Sequence, residues 1–128
     1  MPIDTSLEFV PINIAVITIS DSRTKENDTS GDTLEKRIID AGHQMIKRTI
    51  IPDDVSKIKD TINAMSKEKD IDCIITTGGT GLTGRDTTPE AVKEIANKHI
   101  DGFGELFRQV SFEKIGTSAI QSRAVAAL

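Results

Sequence analysis

Tryptophan and tyrosine are absent from this sequence, and its aromatic residues are four phenylalanines. Without larger rings, the chain offers no aromatic platform on which bases or sugars could stack. Its single cysteine, Cys73, excludes an intramolecular disulfide and a cysteine-rich zinc site. No apolar run approaches the roughly 20 residues that span a bilayer. The first residues also lack the basic and apolar regions of a secretory signal.

An excess of positive charge is missing as well. The chain has 16 Lys and Arg residues and 20 Asp and Glu residues, which gives a net charge of −4 at pH 7. A mildly acidic chain has no sequence-wide electrostatic attraction to DNA or RNA. Its 128 residues are the size of one ordinary domain. We therefore expect a single-domain cytoplasmic protein that binds neither nucleic acid nor a membrane.

Isoleucine is abundant, with 19 residues against five leucines and six valines, and β-branched side chains favour strands. Isoleucine-rich runs predict three strands, at residues 12–20, 43–51 and 71–77. Apolar periodicity and capping residues predict helices at about 31–41, 55–65, from Pro89 onwards, 103–113 and 117–127. We expect residues 1–11 to form an N-terminal arm and residues 12–128 to form the domain.

Strands that alternate with helices predict a mainly parallel sheet, and thus an α/β fold with helices on both faces. The simplest order for three such strands is 2-1-3. In this order the connections after the first and third strands diverge, and ligands bind at such a point, beyond the carboxyl ends of the strands. The polar segment 20–31 and the glycine-rich segment 78–84 both lie there, with Asp53 on the same rim.

The glycine-rich segment matches two nucleotide-binding patterns only in part. Residues 79–84 fit G-x-G-x-x-G, but they follow the third strand, and no later strand supplies an acid for a ribose. A P-loop is disfavoured because Arg85 and Asp86 stand where Lys and Ser or Thr belong. Two interpretations remain: a plain strand-to-helix turn, or a backbone cradle for an anion such as phosphate. Four glycines followed by Arg85 and Asp86 favour the cradle.

The charged side chains near this segment suit phosphoryl or nucleotidyl chemistry. Arg23 and Arg85 can neutralise phosphate charge, and Asp21, Asp53 and Asp86 are oxygen ligands of the kind that Mg²⁺ prefers. Positioning and charge neutralisation supply most of the catalysis in such reactions.

Other polar residues carry weaker signals. His43 and His99 are isolated, and Cys73 lies inside a predicted strand, which favours a packing role. Ser111 and Ser122 have no His or Asp at a spacing that indicates a nucleophile.

Several motifs, in order along the chain, resemble the signature of the MoaB/MogA family, a molybdopterin-binding domain that also occurs in gephyrin and the plant Cnx proteins. The central motifs are Thr77-Gly78-Gly79-Thr80-Gly81 and Arg85-Asp86-Thr87-Thr88-Pro89-Glu90. The others are Ser20-Asp21-Ser22-Arg23, Asp28-Thr29-Ser30-Gly31, Ile51-Pro52-Asp53, Gly102-Phe103-Gly104-Glu105 and Ser122-Arg123. The resemblance extends from about Ile12 to Arg123, and residues 102–123 are more similar to MoaB than to MogA.

The resemblance implies a three-layer α/β fold that assembles as a homotrimer or as a homohexamer of two trimers. It also implies a step of molybdenum cofactor biosynthesis, in which the terminal phosphate of molybdopterin attacks the α-phosphate of Mg-ATP and pyrophosphate leaves. The alternative is a non-catalytic molybdopterin-binding subunit that passes the pterin to another protein of the pathway, such as one that inserts molybdate. The presence of both Asp53 and Asp86 favours the enzyme.

By position in the motifs, the resemblance implies that Asp53 and Asp86 are the catalytic acids and hold Mg²⁺. It implies that the substrates bind a larger set of residues around the glycine-rich segment and near the C-terminal end: Asp21, Ser22, Arg23, Thr77, Gly78, Gly79, Thr80, Gly81, Arg85, Thr88, Pro89, Glu90, Ser111, Ser122 and Arg123. Within this set Ser122 matches a serine on the pterin side, and Ser111 approximately matches another.

The sequence departs from the family pattern at its C-terminal end. Beyond the position of Arg123 the family continues with another strand, a Pro-Gly loop that borders the pterin site, and a closing helix. These parts do not follow Arg123 here. We therefore expect the domain at residues 12–128 to be C-terminally shortened.

Overall fold

The computed structural model describes residues 1–128. Its elements are, in order, β1 (Asn13–Ile19), α1 (Thr29–Asp40), β2 (Gln44–Ile51), α2 (Val55–Ser66), β3 (Cys73–Thr77), α3 (Thr88–Ile95), α4 (Asp101–Ile115) and a 3₁₀ helix (Gly116–Gln121). None of the helices combines the length and the apolar character that crossing a membrane requires.

β1 is the central strand, and both neighbouring strands run parallel to it in the order β2-β1-β3. The predicted order 2-1-3 is confirmed. The register pairs Ile14 of β1 with Met45 on one side and with Cys73 on the other. All of β1 except Asn13 is buried. A central strand that is covered on both faces has no solvent-facing side, which explains its near-continuous apolar run.

Helices cover both faces of the sheet, so the domain has three layers. On one face, Ile14 and Val16 form a buried cluster with Ile38 of α1. On the other face, Ile17 belongs to a cluster with Ile58 of α2, and α3 contributes to the same cluster. The two sets separate because successive side chains of a strand point to opposite faces.

The helix ends follow the signals in the sequence. The carboxylate of Asp54 accepts a hydrogen bond from the backbone N–H of Lys57 at 2.9 Å and so caps α2. Pro89 lies in the first turn of α3, where its missing N–H costs nothing. Gly42 follows α1 with a φ of +87°, a left-handed conformation that glycine adopts readily.

The end of the chain differs from the predicted helix at 117–127, which is wrong beyond Gln121. Only the short 3₁₀ helix forms, and the following residues pair with the segment before α4. Lys98 and Leu128 exchange two backbone hydrogen bonds, and Ile100 donates to the carbonyl of Ala126 at 2.9 Å. This antiparallel pairing satisfies backbone groups that a helix would have satisfied internally.

Three residues with weak functional signals have structural surroundings. His43 accepts a hydrogen bond at Nδ1 from the backbone N–H of Ile12 at 3.2 Å, and its ring lies 5.0 Å from that of Phe9 in the exposed arm. His99 forms a single bridge with Ala127. Cys73 packs against the cluster on the α1 face, where burial raises the pKa of its thiol.

Candidate functional site

The carboxyl ends of the three strands meet at one edge of the sheet, and the loops that follow them converge there. The backbone N–H of Asp53, after β2, donates to Oδ1 of Asp21, after β1, at 3.1 Å. Gly78, after β3, lies so close to the end of β1 that a Cβ on it would be 2.1 Å from the carbonyl oxygen of Ile19. The predicted convergence of these loops is therefore present in the structure.

One carboxylate of this edge, that of Asp53, is held by the segment that precedes α3. Its Oδ1 accepts hydrogen bonds from the backbone N–H of Thr87 at 3.1 Å and from the Thr87 hydroxyl at 2.6 Å. Its Oδ2 has no hydrogen-bond partner and faces Gly79, where a Cβ would be 2.7 Å away. The fixed Oδ1 orients the group, and the free Oδ2 is available to a ligand.

A second carboxylate, that of Asp86, is anchored within the glycine-rich loop. Its Oδ2 accepts hydrogen bonds from the backbone N–H of Thr83 at 3.0 Å and from the Thr83 hydroxyl at 2.6 Å. These two bonds, together with the backbone N–H of Gly81, hold the pKa of Asp86 below its ordinary value. Asp86 is therefore ionised at neutral pH.

Arg85 lies at the same edge of the sheet and pairs with Asp21. Its Nε lies 3.1 Å from Oδ2 of Asp21, and its terminal nitrogen contacts the same oxygen. The guanidinium, and then the backbone N–H of Asp53, lower the pKa of Asp21. The Arg85 side chain is 72% exposed, so solvent screening weakens this ion pair. Arg85 can therefore exchange Asp21 for an incoming anion at small cost.

Thr88 holds the glycine turn at residues 78–79 by two hydrogen bonds. The Thr88 hydroxyl donates to the carbonyl of Gly78 at 2.9 Å, and its backbone N–H donates to the carbonyl of Gly79 at 3.0 Å. Both glycines have positive φ, +98° and +64°. A Cβ on Gly79 would lie 2.3 Å from the Thr88 hydroxyl oxygen. This position requires glycine, and it brings backbone close to the carboxylate of Asp53.

Arg123 contacts the glycine-rich loop from the C-terminal segment. Its Nε donates to the carbonyls of Gly81 at 2.8 Å and Thr80 at 3.3 Å, and one terminal nitrogen donates to the carbonyl of Asp86 at 2.8 Å. The other terminal nitrogen pairs with the carboxylate of Glu90 in the first turn of α3. All three guanidinium nitrogens are therefore engaged by the protein.

Residues 15–128 match the model of the protein family described as "Probable molybdopterin binding domain". The chain belongs to this family. It is 43% identical over 121 residues to "Molybdenum cofactor biosynthesis protein B" of Escherichia coli (strain K12), an alignment that covers 94% of this chain and 71% of that protein. It is 41% identical over 124 residues to "Probable molybdopterin adenylyltransferase" of Methanocaldococcus jannaschii, which covers 91% of this chain and 73% of that protein.

A solved structure agrees with this membership in the molybdopterin-binding family. A crystal structure of Molybdenum cofactor biosynthesis protein B has a TM-score of 0.89 and 42% identity to this chain, and it covers 93% of this chain and 74% of the other. The resemblance to MoaB that the sequence motifs showed is confirmed, and so is the three-layer fold that the resemblance implied.

The other residues that the family resemblance assigns to substrate binding lie in several parts of the structure. Thr77 ends β3 beside Thr18 of β1, and Pro89 is buried beneath the loop with Thr88. The guanidinium of Arg23 donates to the carbonyl of Asn27 at 3.0 Å, within its own loop. Two serines and one loop threonine, Ser111, Ser122 and Thr80, make no side-chain hydrogen bond. The exposed residue Ser22 donates its backbone N–H to the hydroxyl of Ser20 at 3.2 Å.

The molybdopterin-binding family implies Mg²⁺, and the oxygen donors at this edge of the sheet fit it in one of two ways. No group of three or more His, Cys, Asp or Glu side chains is arranged to hold a metal ion. Mg²⁺ in nucleotide sites needs only one or two carboxylates, because substrate phosphates and waters complete its coordination. The free Oδ2 of Asp53, which lies against Gly79, and the ionised Asp86, which lies against Gly81, fit that second arrangement.

Two threonines of the site were missed by the sequence analysis. Thr83 anchors Asp86, and Thr87 anchors Asp53, each through both its backbone N–H and its hydroxyl. A hydroxyl residue one to three positions from a loop aspartate is the signal that could have identified Thr83. Thr87 pairs with a residue 34 positions away, and no local pattern reveals such a contact.

Proposed function

We propose that this chain works in molybdenum cofactor biosynthesis as a molybdopterin adenylyltransferase. The observation that carries the proposal is the convergence of two oriented carboxylates, Asp53 and Asp86, with a left-handed glycine turn at the carboxyl edge of the sheet. The name of the Methanocaldococcus jannaschii relative, "Probable molybdopterin adenylyltransferase", supports the same activity.

In the proposed reaction, an oxygen of the terminal phosphate of molybdopterin attacks the α-phosphorus of ATP. As this bond forms, the bond from the α-phosphorus to the oxygen that bridges to the β-phosphate breaks, and pyrophosphate leaves with the electron pair. Backbone N–H groups of the glycine-rich loop would bind phosphate oxygens, and the exposed guanidinium of Arg85 would neutralise their charge. Mg²⁺ held by Asp53, Asp86 and the phosphates would supply further charge neutralisation.

The experiment that tests this proposal compares two Asp→Asn variants of the natural protein. Asp86→Asn keeps an acceptor for Thr83 but removes the negative charge, and losing such charge stabilisation costs about 10²–10³ in rate. Asp60→Asn is the matched control, because Asp60 is exposed on α2 and has no hydrogen-bond partner. Formation of adenylyl-molybdopterin and pyrophosphate from molybdopterin and Mg-ATP is measured. We expect full turnover in Asp60→Asn and a loss of that size in Asp86→Asn.

Two results would contradict the proposal in different ways. Full turnover in Asp86→Asn would remove Asp86 from the catalytic residues. Binding of molybdopterin by the natural protein without any release of pyrophosphate from Mg-ATP would identify the alternative, a non-catalytic binding subunit.

The proposal extends to the assembly and location of the protein. We propose a homotrimer or homohexamer in the cytoplasm that receives molybdopterin and passes its adenylylated product to a molybdate-inserting protein of the pathway. The exposed apolar side chains of α4, among them Phe103 and Phe107, support self-association.

A further inference from the structure

The guanidinium of Arg123 holds three peptide units of the glycine-rich loop by their carbonyl oxygens. The unit that joins Gly81 to Leu82 accepts from Nε at 2.8 Å, and the other two units lead to the carboxylates of the site. One unit joins Thr80 to Gly81, and its carbonyl accepts from Nε of Arg123 at 3.3 Å. The other joins Asp86 to Thr87, and its carbonyl accepts from a terminal nitrogen of Arg123 at 2.8 Å. In a trans peptide unit the C=O and the N–H point in opposite directions. Fixing each carbonyl therefore also fixes the direction of the N–H at the other end.

The residues at the other ends of these two peptide units, Thr87 and Gly81, lie beside the two carboxylates of the site. The N–H of Thr87 donates to Oδ1 of Asp53 at 3.1 Å. Gly81 lies so close to Asp86 that a Cβ on it would be 2.7 Å from Oδ2, and its N–H helps to hold the pKa of Asp86 below its ordinary value. Arg123 thus reaches Asp53 and Asp86 through one peptide unit each, although it touches the carboxylate of neither.

The surroundings of Arg123 favour a role in holding the backbone over direct contact with a substrate. Its side chain is 27% exposed, whereas that of Arg85 is 72% exposed. Its remaining terminal nitrogen pairs with Glu90, which anchors the guanidinium to the first turn of α3. A planar guanidinium can contact several carbonyls at once, while the ammonium of lysine is a point charge that cannot reproduce this geometry.

We propose that Arg123 is a positioning residue that aims Asp53 and Asp86 by holding the carbonyl ends of the 86–87 and 80–81 peptide units. This inference rests on the proposed function, because it explains how the two carboxylates of that reaction keep their orientation. It also differs from direct substrate binding by Arg123, which the family resemblance implied, and the two roles predict different behaviour.

The kinetic test replaces Arg123 with lysine, which retains the charge and removes the planar guanidinium. Mutating a residue that orients metal-binding side chains without touching the metal costs about 10–100-fold in activity. We expect Arg123→Lys to lose kcat by that factor in adenylyl transfer, with little change in KM for molybdopterin. Arg37→Lys is the matched control, because Arg37 is exposed on α1, lies outside the site and has no side-chain hydrogen bond. We expect its kcat to stay close to that of the wild type.

Chemical rescue separates the shape of the guanidinium from its charge. In Arg123→Ala, added methylguanidinium should restore part of the lost kcat, while methylammonium at the same concentration should not. Rescue by both cations, or near-wild-type kcat in Arg123→Lys, would show that only the charge matters and would overturn the positioning role.

A measurement without substrates keeps this inference separate from the proposed activity. Hydrogen exchange of the amides of Gly81 and Thr87 is compared between the wild type and Arg123→Lys, with the amides of β1 as the internal control. We expect exchange at Thr87, whose N–H bonds to Asp53, to accelerate by about tenfold, the change expected when one hydrogen bond is lost. Exchange at Gly81 should accelerate as well, while β1 is unchanged.

The activity assay and the hydrogen-exchange measurement can contradict the proposed function and the role of Arg123 separately. A wild-type protein that forms no adenylyl-molybdopterin, with faster loop exchange in Arg123→Lys, would contradict the proposed function and support the role of Arg123 in the loop. Unchanged exchange at Gly81 and Thr87, together with a raised KM for molybdopterin, would overturn the positioning role in favour of direct contact. If Arg123→Lys loses its folded β1 signals, Arg123→Gln is measured in its place by the same criteria.

Discussion

Asp28 is the one charged residue that is fully buried, with 1% of its surface exposed. Its Oδ2 accepts from the hydroxyl of Thr18 at 2.7 Å and from Arg48 at 3.0 Å, and its Oδ1 accepts from the backbone N–H of Gly31 at 3.0 Å. Burial alone raises the pKa of Asp28, but these hydrogen bonds outweigh it and leave the pKa below its ordinary value. The contacts of Asp28 with Thr18 and Arg48 fix the start of α1 against β1 and β2.

This ion pair gives the stability of the protein a defined pH dependence. Removing one partner of a buried pair costs about 3–5 kcal/mol, and we expect Asp28→Asn to fall near the lower end, because Arg48 keeps Asp32 and Glu35 as partners. The pKa of Asp28 is lower in the folded chain than in the unfolded chain. Its stabilisation is therefore fully present above the unfolded pKa of about 4 and is lost as the pH falls through the folded pKa.

Urea unfolding of the wild type and of Asp28→Asn, from about pH 7 to about pH 3, measures this effect. The difference in unfolding free energy should be constant near neutral pH and should narrow under acid conditions. A difference that is independent of pH would show that the charge of Asp28 contributes nothing to stability.

Among individual residues, the sequence predicted the place of those that directly follow a recognisable element. Asp53 directly follows the Ile-Pro end of β2, and Asp86 follows the glycines, so both could be assigned to the carboxyl edge. The pair of Asp28 and Arg48 could not be predicted, because its members lie 20 residues apart on different elements. Their contact depends on the face of β2 that meets α1, which only the packed structure determines.

The glycine turn is the element on which the phosphate-binding interpretation depends, and two glycines of the loop provide a matched pair of variants. Gly79→Ala places a Cβ against Thr88 and Asp53 at positive φ, and a strained residue of this kind costs about 1–3 kcal/mol of stability. Gly84→Ala meets no atom within 4 Å and has no positive φ, so its stability should change by less than about 0.5 kcal/mol.

Calorimetry with molybdopterin and with ATP then measures binding to the two folded variants. We expect Gly79→Ala to bind both ligands more weakly than Gly84→Ala does, because its Cβ intrudes between the turn and the carboxylate of Asp53. Equal affinities in the two variants would contradict the phosphate-binding interpretation and favour a plain strand-to-helix turn.

Among the elements, the strands and their order were predictable, and the C-terminal segment was not. Strands buried on both faces show as long apolar runs, and the alternation with helices leaves 2-1-3 as the simplest parallel order. Residues 124–127 are small and apolar, a composition that suits a helix and an extended segment equally well. The hydrogen bonds to residues 98–100 decide between the two, and such a partner cannot be read from local periodicity.

Considered as a whole, the molecule exposes an apolar surface along α4. Phe103 and Phe107 are each 45% exposed and lie with their rings 5.9 Å apart, and Val110 continues the same face. Exposed patches of this kind mark interaction surfaces. We expect sedimentation at micromolar concentration to show a trimer or hexamer, and Phe107→Glu to shift the population towards the monomer.

A control for the oligomer measurement is Ile39→Glu, which adds the same charge at another exposed apolar position, on α1. It should leave the sedimentation unchanged. A wild-type protein that sediments only as a 13.9 kDa species would show that the α4 face does not drive self-association.

The parallel order of the sheet also determines when the site can form during folding. β1 must wait for a partner about 30 residues away in β2 and another about 60 residues away in β3, and pairing over such separations slows folding. Each of the three loops of the site begins where one strand ends, and Arg123 contacts the loop after β3 from about 100 residues beyond Asp21. The site is therefore completed only after the last long-range contact is made, so a partly folded chain does not present the complete site to phosphate-bearing metabolites.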